Sequence, residues 1–289
     1  MALDSANKNA LRERLKFYSE IGVGPLYRRE VEPGADAKPF PDDLALMSDE
    51  PAAERGLVAA EACIPLAVSL NVNITIPEDR VAQLRVISDD IGPNCQRCKL
   101  AKLGRKQIVF GTGDPNAALM FIGEGPGADE DAQGLPFVGR AGQLLNNMIA
   151  AMGLTREQVY IANIVKCRPP GNRTPERDEC DTCSPFLMGQ VRVVRPKVIV
   201  ALGATAAKNL LGMNDSMASL RGRFYEFSPP RALTDPAAPF DCKLAVTYHP
   251  AFLLRDPRQK AETWKDLQMV MKYLGLKPPA RANRDAEGS

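Results

Sequence analysis

The stretch Ala117-Ala118-Leu119-Met120-Phe121-Ile122-Gly123-Glu124-Gly125-Pro126-Gly127 decides the fold. Six apolar residues without a polar break read as a strand buried on both faces. Glycines then turn the chain, and Gly142-Gln143-Leu144-Leu145-Asn146-Asn147-Met148-Ile149 reads as the first turns of a helix. Strand, glycine-rich loop and helix together bring backbone N–H groups to a helix start. Yet this loop holds four carboxylates between Glu124 and Asp131. They would repel a phosphate, so the loop suits a neutral ring and the activation of water. Its glycines beside Phe137 predict close approach of a planar ligand.

Working outward, three more apolar runs follow, at 158–165, 197–202 and 243–248, alternating with helical stretches. That alternation predicts an α/β protein: a three-layer αβα sandwich with a central four-stranded parallel sheet. Ligands in such sheets bind beyond the carboxyl ends of the strands. Glu124, Asn163 and His249 fall at three of those ends. At the fourth, Gly203-Ala204-Thr205 reads as a tight turn and cap before a helix from Ala206 to Leu211. A helix near 259–274 closes the fold and places Trp264, the only tryptophan, in the core.

Upstream, residues 7–21 form a loosely amphipathic helix, and 31–43 mix proline, alanine and acids without periodicity. Such composition reads as linker. The expected organisation is a poorly ordered extension over 1–75, a folded domain over 76–277 entered through a helix at 81–87, and a tail over 278–289. No apolar run is long enough to span a membrane, and the start lacks the form of a signal peptide. A cytoplasmic, monomeric protein with no membrane partner is expected. Residues 1–90 carry 10 Lys+Arg against 16 Asp+Glu, a net −6, and the remainder carries 27 against 19, a net +8. A basic domain behind an acidic leader permits a nucleic-acid partner.

Seven cysteines in such a chain suggest metal ligands or thiols rather than disulfides. Cys95 and Cys98 form one C-x2-C pair, Cys180 and Cys183 another, and Cys167 lies between them. Five candidates compete for four places, and spacing alone leaves zinc and an iron–sulfur cluster both open. Cys63 and Cys242 have no partner pattern and read as structural.

Four motifs in order carry a resemblance: Gly123–Gly127, Pro136-Phe137-Val138-Gly139-Arg140-Ala141-Gly142, Asn163-Ile164-Val165-Lys166-Cys167-Arg168-Pro169 with its continuation to Pro175, and His249-Pro250-Ala251. With the cysteines between them, the chain over about 92–275 resembles the family 4, iron–sulfur uracil-DNA glycosylases of the uracil-DNA glycosylase superfamily. The resemblance implies hydrolysis of the N-glycosidic bond of deoxyuridine in single- or double-stranded DNA, base excision in DNA repair, and a [4Fe-4S] cluster. By position the implied cluster ligands are Cys95, Cys98, Cys167 and Cys183, with Cys180 as a departure.

The residues can be set beside that chemistry. His249, the only histidine, would donate to uracil O2 as negative charge develops. Asn163 has one donor and one acceptor, matching O4 and N3–H of uracil and mismatching cytosine. Phe137 would stack on the flipped base. Gly123 and Gly125 would let backbone amides approach the ring. Glu124 is expected to position or deprotonate water, because Gly125 stands where other branches carry Asp or Asn. Glu130 would crowd C5 and exclude thymine. Arg255, after the apolar Phe252-Leu253-Leu254, and Arg173 would contact DNA, with Lys102, Arg105, Lys106, Arg168, Arg221 and Arg223 as further phosphate candidates. Two alternatives compete: a relative that traps uracil-DNA covalently, and a zinc-stabilised nucleic-acid-binding module without catalysis. The trapping branch inserts a histidine-containing loop, whereas here Gly139-Arg140-Ala141-Gly142 runs straight into the helix. A redox protein would leave Asn163 and His249 without a role.

Overall fold

The structure is a computed structural model that describes residues 79–229 and 240–278. The first helix at 7–21, the linker, Cys63 and the tail beyond residue 278 lie outside the described residues.

Six strands form one sheet: β1 (Thr112–Gly113), β2 (Leu119–Gly123), β3 (Tyr160–Asn163), β4 (Val198–Leu202), β5 (Phe224–Phe227) and β6 (Cys242–Thr247). Their order across the sheet is β1-β3-β2-β4-β6-β5. The four central strands are parallel, as the apolar runs predict, and every residue of β2, β3 and β4 is buried. The sheet nonetheless exceeds four strands, because β1 and β5 add antiparallel edges. β1 has two residues and β5 is half-exposed, so neither carries the continuous apolar run of a buried strand. The run at 158–165 is shorter as a strand than expected, and Asn163 is its last residue.

Eight α-helices are described: α1 (Arg80–Ile91), α2 (Ala128–Gln133), α3 (Arg140–Ala151), α4 (Arg177–Val194), α5 (Ala204–Leu211), α6 (Met217–Leu220), α7 (Pro250–Arg255) and α8 (Lys260–Leu274). Alternate strand residues feed two cores, which makes the three layers. Met120, Ile122, Ile199 and Val246 pack with Leu84 of α1, Leu187 of α4 and Ala206 of α5. Leu119, Phe121, Val200 and Ala245 pack with Leu145 of α3 and Leu267 of α8. Trp264 is half-buried against this second core.

Helix α1 enters the domain as expected. Asp79 caps it by accepting from the N–H groups of Val81 (3.1 Å) and Ala82 (3.3 Å). Arg80 then donates to the carbonyl of Val194 at the end of α4 (2.9 Å). Helix α3 begins at Arg140, two residues earlier than the sequence suggested, and α2 is an unexpected helix inside the glycine-rich loop. Helices α3 and α5 leave β2 and β4 toward opposite faces of the sheet. The chain direction therefore diverges between these two neighbouring strands, which opens a crevice at their carboxyl ends.

Candidate active site

That crevice is a cleft of about 760 Å³. Strand register builds it: Gly123 pairs with Asn163, and Leu202 with Thr247, so the four parallel strands end side by side. Glu124, Gly125, Glu130, Phe137, Asn163 and His249 all line it, with Arg173 and Arg255 at its walls. Motifs more than a hundred residues apart thus converge on one cavity.

Asn163 is 2 % exposed, and its side-chain oxygen has no hydrogen-bond partner. Leaving a buried amide oxygen unpaired costs about 1–3 kcal/mol, which a ligand donor would recover. Gly123 stands beneath it. A Cβ there would come 2.5 Å from the Asn163 side-chain oxygen and 2.5 Å from the Phe137 ring. Only glycine lets these two groups share that space.

Phe137 is buried and adopts a left-handed backbone (φ 52°). A bulky residue pays strain there of about 1–3 kcal/mol and keeps the conformation only where its surroundings impose it. Arg156 imposes it. Its guanidinium donates to the Phe137 carbonyl (3.1 Å), to the Pro136 carbonyl and to Asn146 Oδ1 (3.0 Å). Sequence reasoning missed Arg156, because nothing local marks it as a clamp on a segment about twenty residues upstream.

His249 is the N-cap of α7, and its Nδ1 accepts from the N–H of Ala251 (3.1 Å). That bond assigns the ring proton to Nε2, where it can be donated into the cleft. Burial, helped by the positive charge of Arg255 and opposed by Glu130, pushes the imidazole down to about 4. His249 is therefore a neutral donor near neutral pH. Its ring lies 5.5 Å from that of Phe137, tilted by 33°.

Glu124 follows β2 directly and accepts a hydrogen bond from the Thr205 hydroxyl. At Gly125 a Cβ would lie 2.8 Å from Val165 Cγ2. A larger residue at that place would have to displace the Val165 side chain. Glu130 is engaged by the loop itself. It accepts from the N–H groups of Gly127 (3.0 Å), Val138 (3.0 Å) and Gly139 (3.2 Å). This makes it a brace that joins the start of α2 to the segment carrying Phe137.

The basic residues separate into groups. Arg255 ends α7 and is exposed at the cleft. Arg173, by contrast, forms a two-pronged pair with buried Glu179 (2.8 and 2.6 Å). It ties the loop before α4 to that helix rather than standing open for phosphate. Arg221 pairs with buried Asp266 (2.7 Å) and lies over the Tyr248 ring. The segment 251–255 is helix, not loop. Leu253 faces the core, and Leu254 is exposed.

Lys166 is a further residue that sequence reasoning passed over. It is fully buried, and its ammonium donates to the Asn163 carbonyl (2.9 Å) and to Gln190 Oε1 (2.6 Å). Gln190 in turn donates to the Phe110 carbonyl and the Tyr160 hydroxyl. A polar pillar thus stands beneath the strand end that presents Asn163. A lysine three residues after Asn163 in an apolar run was the available signal.

The cysteines divide clearly. Burial, with Cys167 and Cys98 adding to it, pushes the Cys183 thiol up to about 12 against the opposing effect of Lys166. Cys98 and Cys167 are raised too, chiefly by burial, with Cys95 among the contributing charges for both. Cys95, Cys98, Cys167 and Cys183 therefore lie within electrostatic reach of one another. Arg105 bridges the group, donating to Cys167 Sγ (3.0 Å) and the Cys95 carbonyl (2.6 Å). It is thus turned toward the thiols, away from the phosphate role foreseen for it. Cys180 packs in the same core as Cys167 and Cys183, and burial, with the charges of Asp181, Glu179 and Glu124 adding to it, raises its thiol to about 11. Cys242 donates to the Phe227 carbonyl inside the core.

The sequence model of the uracil DNA glycosylase superfamily matches residues 110–268, the span holding β1 to most of α8. A type-4 uracil-DNA glycosylase of Saccharolobus solfataricus is 42% identical over 202 residues, covering 68% of this chain and 88% of that protein. One from Pyrobaculum aerophilum is 41% identical over 180 residues, covering 61% and 87%. One from Archaeoglobus fulgidus is 38% identical over 190 residues, covering 64% and 91%. The chain belongs to the uracil DNA glycosylase superfamily and, within it, groups with the type-4 uracil-DNA glycosylases.

Proposed function

We propose that the protein excises uracil from DNA, hydrolysing the N-glycosidic bond of deoxyuridine and leaving an abasic site. The observation that carries this reading is the buried, unpartnered amide oxygen of Asn163 between Gly123, the Phe137 ring and the cleft. A base must leave the stack to reach such a cavity. Phe137 then stacks on it, and Asn163 accepts from N3–H and donates to O4. His249 donates from Nε2 to O2 as the leaving uracil gathers negative charge. Glu124 orients the attacking water. Glu130 holds the loop's shape and, lining the cleft, limits the room at C5. Arg255 contacts a phosphate of the bound strand.

Cys95, Cys98, Cys167 and Cys183 would hold a [4Fe-4S] cluster. The donor set fits, since these four thiols lie close enough for their charges to act on one another, and Arg105 joins Cys167 to the Cys95 segment. When bound, such a cluster supplies a crosslink rather than a reaction step. It would join the Cys95–Cys98 segment to the end of β3 and to α4. Gln107 and Asp131 carry that connection to the active-site loop. Asp131 Oδ1 accepts from Lys106 N–H (2.8 Å), and Gln107 donates to the Ala132 carbonyl (2.6 Å).

The direct test is a single-stranded oligonucleotide containing one uracil, read as strand breaks after alkali. Breaks at uracil with cytosine untouched are the expected result, and no breaks from folded protein would overturn the proposal. Two further outcomes follow. Cys183→Ser should lose the visible absorbance of the cluster while Cys180→Ser keeps it, and equal loss from both would return Cys180 to the ligand set. Deletion of residues 1–78, which spares the Asp79 cap and α1, should leave excision within about twofold of the full chain, since the cleft is lined by residues between 124 and 255. A dead truncation with an unchanged melting temperature would assign the leader to the catalytic unit. Among the described residues no helix is long and apolar enough to cross a membrane, and DNA is the partner proposed.

A further inference from the structure

We propose that Thr205 is the positioning residue for the hydrolytic water, acting through Glu124. The inference rests on the assignment of Glu124 to water. Thr205 is the second residue of α5, reached from the end of β4 through Gly203. A threonine at a helix start ordinarily turns its hydroxyl to the helix's own N–H groups. Here Gly203 is the N-cap and no side chain caps α5. The Thr205 hydroxyl instead donates to Glu124 Oε2, 81 positions away in sequence. The bond spans the point where α3 and α5 leave the sheet in opposite directions, and both residues line the cleft.

The chemistry follows from the geometry. A carboxylate without a fixed partner rotates, and a water bound to it moves with it. Misplacement of a reacting group by about 1 Å costs about a hundredfold in rate. With Oε2 held by Thr205, the carboxylate plane is set and Oε1 remains to accept from water. The threonine backbone is itself anchored, because its carbonyl accepts from the Asn209 amide (2.8 Å) and the preceding Gly203 N–H donates to the Thr247 carbonyl (2.8 Å). Because its hydrogen is given to Glu124, the Thr205 hydroxyl acts through that carboxylate, and its effect is expected on the chemical step more than on recognition.

The test compares Thr205→Val, Thr205→Ser, Glu124→Gln and the double variant Glu124→Gln/Thr205→Val of the full-length protein. Each is measured for single-turnover excision, KM for a uracil oligonucleotide and melting temperature. Valine keeps the shape and removes the donor. Thr205→Val should lower the excision rate about tenfold, the scale of one hydrogen bond to a charged group, with KM within about twofold. Thr205→Ser should recover most of that loss. In the Glu124→Gln background the valine change should cost little more, since the group it positions is already altered. Fully additive losses, a Thr205→Val variant as fast as wild type, or a loss confined to KM would each overturn the role of Thr205. A Glu124→Gln variant with the wild-type rate would instead overturn the assignment of Glu124 to water, whatever Thr205 does.

Discussion

Asn163→Asp should collapse the preference for uracil over cytosine by about a hundredfold or more. The scale follows from how polar pockets discriminate. A site built to pair with a substrate's donor and acceptor rejects the mismatched analogue by up to about 10⁴–10⁵, because its own buried groups are left unpaired. In the wild type, cytosine would set its N4 amino group against the Asn163 amide nitrogen, donor facing donor. An aspartate removes that donor. Uracil O4 then faces a carboxylate oxygen, while cytosine N4–H2 finds an acceptor. Uracil release should fall steeply and cytosine release become measurable, in parallel oligonucleotides differing at one base. The substituted side chain keeps the size of the amide, and the Lys166 ammonium still holds the Asn163 backbone carbonyl from below. A loss of folding is therefore not expected. Equal rate losses on both bases, or unchanged selectivity, would remove Asn163 from base reading.

His249→Ala should slow excision about 10²–10³-fold, the usual consequence of deleting one donor aimed at a developing oxyanion. Binding should weaken far less, because ground-state uracil O2 carries little extra charge. The measurement is single-turnover excision beside DNA affinity from a titration. Parallel losses in both would make His249 a binding residue only. The charge state of this histidine adds a second readout. An unfolded chain takes up the imidazole proton near 6.5, whereas the folded protein resists it to about 4. Between those values the unfolded state binds more protons, so stability rises with pH through this window. The contribution is fully present above 6.5 and is lost as pH falls toward 4. Denaturant midpoints at pH 7 and pH 5 should therefore differ more for the wild type than for His249→Ala. The rate of the wild type should show no limb near 6.5 from this group.

Much of the site was readable because it lies on strand ends. Buried parallel strands appear as unbroken apolar runs, and the residues just past them face the ligand crevice. Glu124, Asn163 and His249 could be placed by that rule alone. The cysteine pair at 180 and 183 could not be separated this way. Three residues apart on α4, they share one helical face, and the rotation of α4 against the sheet decides which thiol meets Cys167. The pairing of Arg173 with Glu179 could not be seen either, because nothing in the sequence marks Glu179 as fully buried. Glu130 presents the same difficulty. A carboxylate in a loop looks solvated until three N–H groups are seen to converge on it.

The sequence by itself determined the layered α/β plan and the order of the four central strands along the chain, because periodicity and strand-end glycines are local properties, and its motifs carried the resemblance that implied the chemistry. The neighbours of each strand were decided only in three dimensions. So were the two antiparallel edges, the clamp of Arg156 on Phe137 and the bond from Thr205 to Glu124. These depend on pairings across 15 to 81 positions. Such contacts form where the sheet brings chain segments together, and no short-range pattern of residue types encodes them.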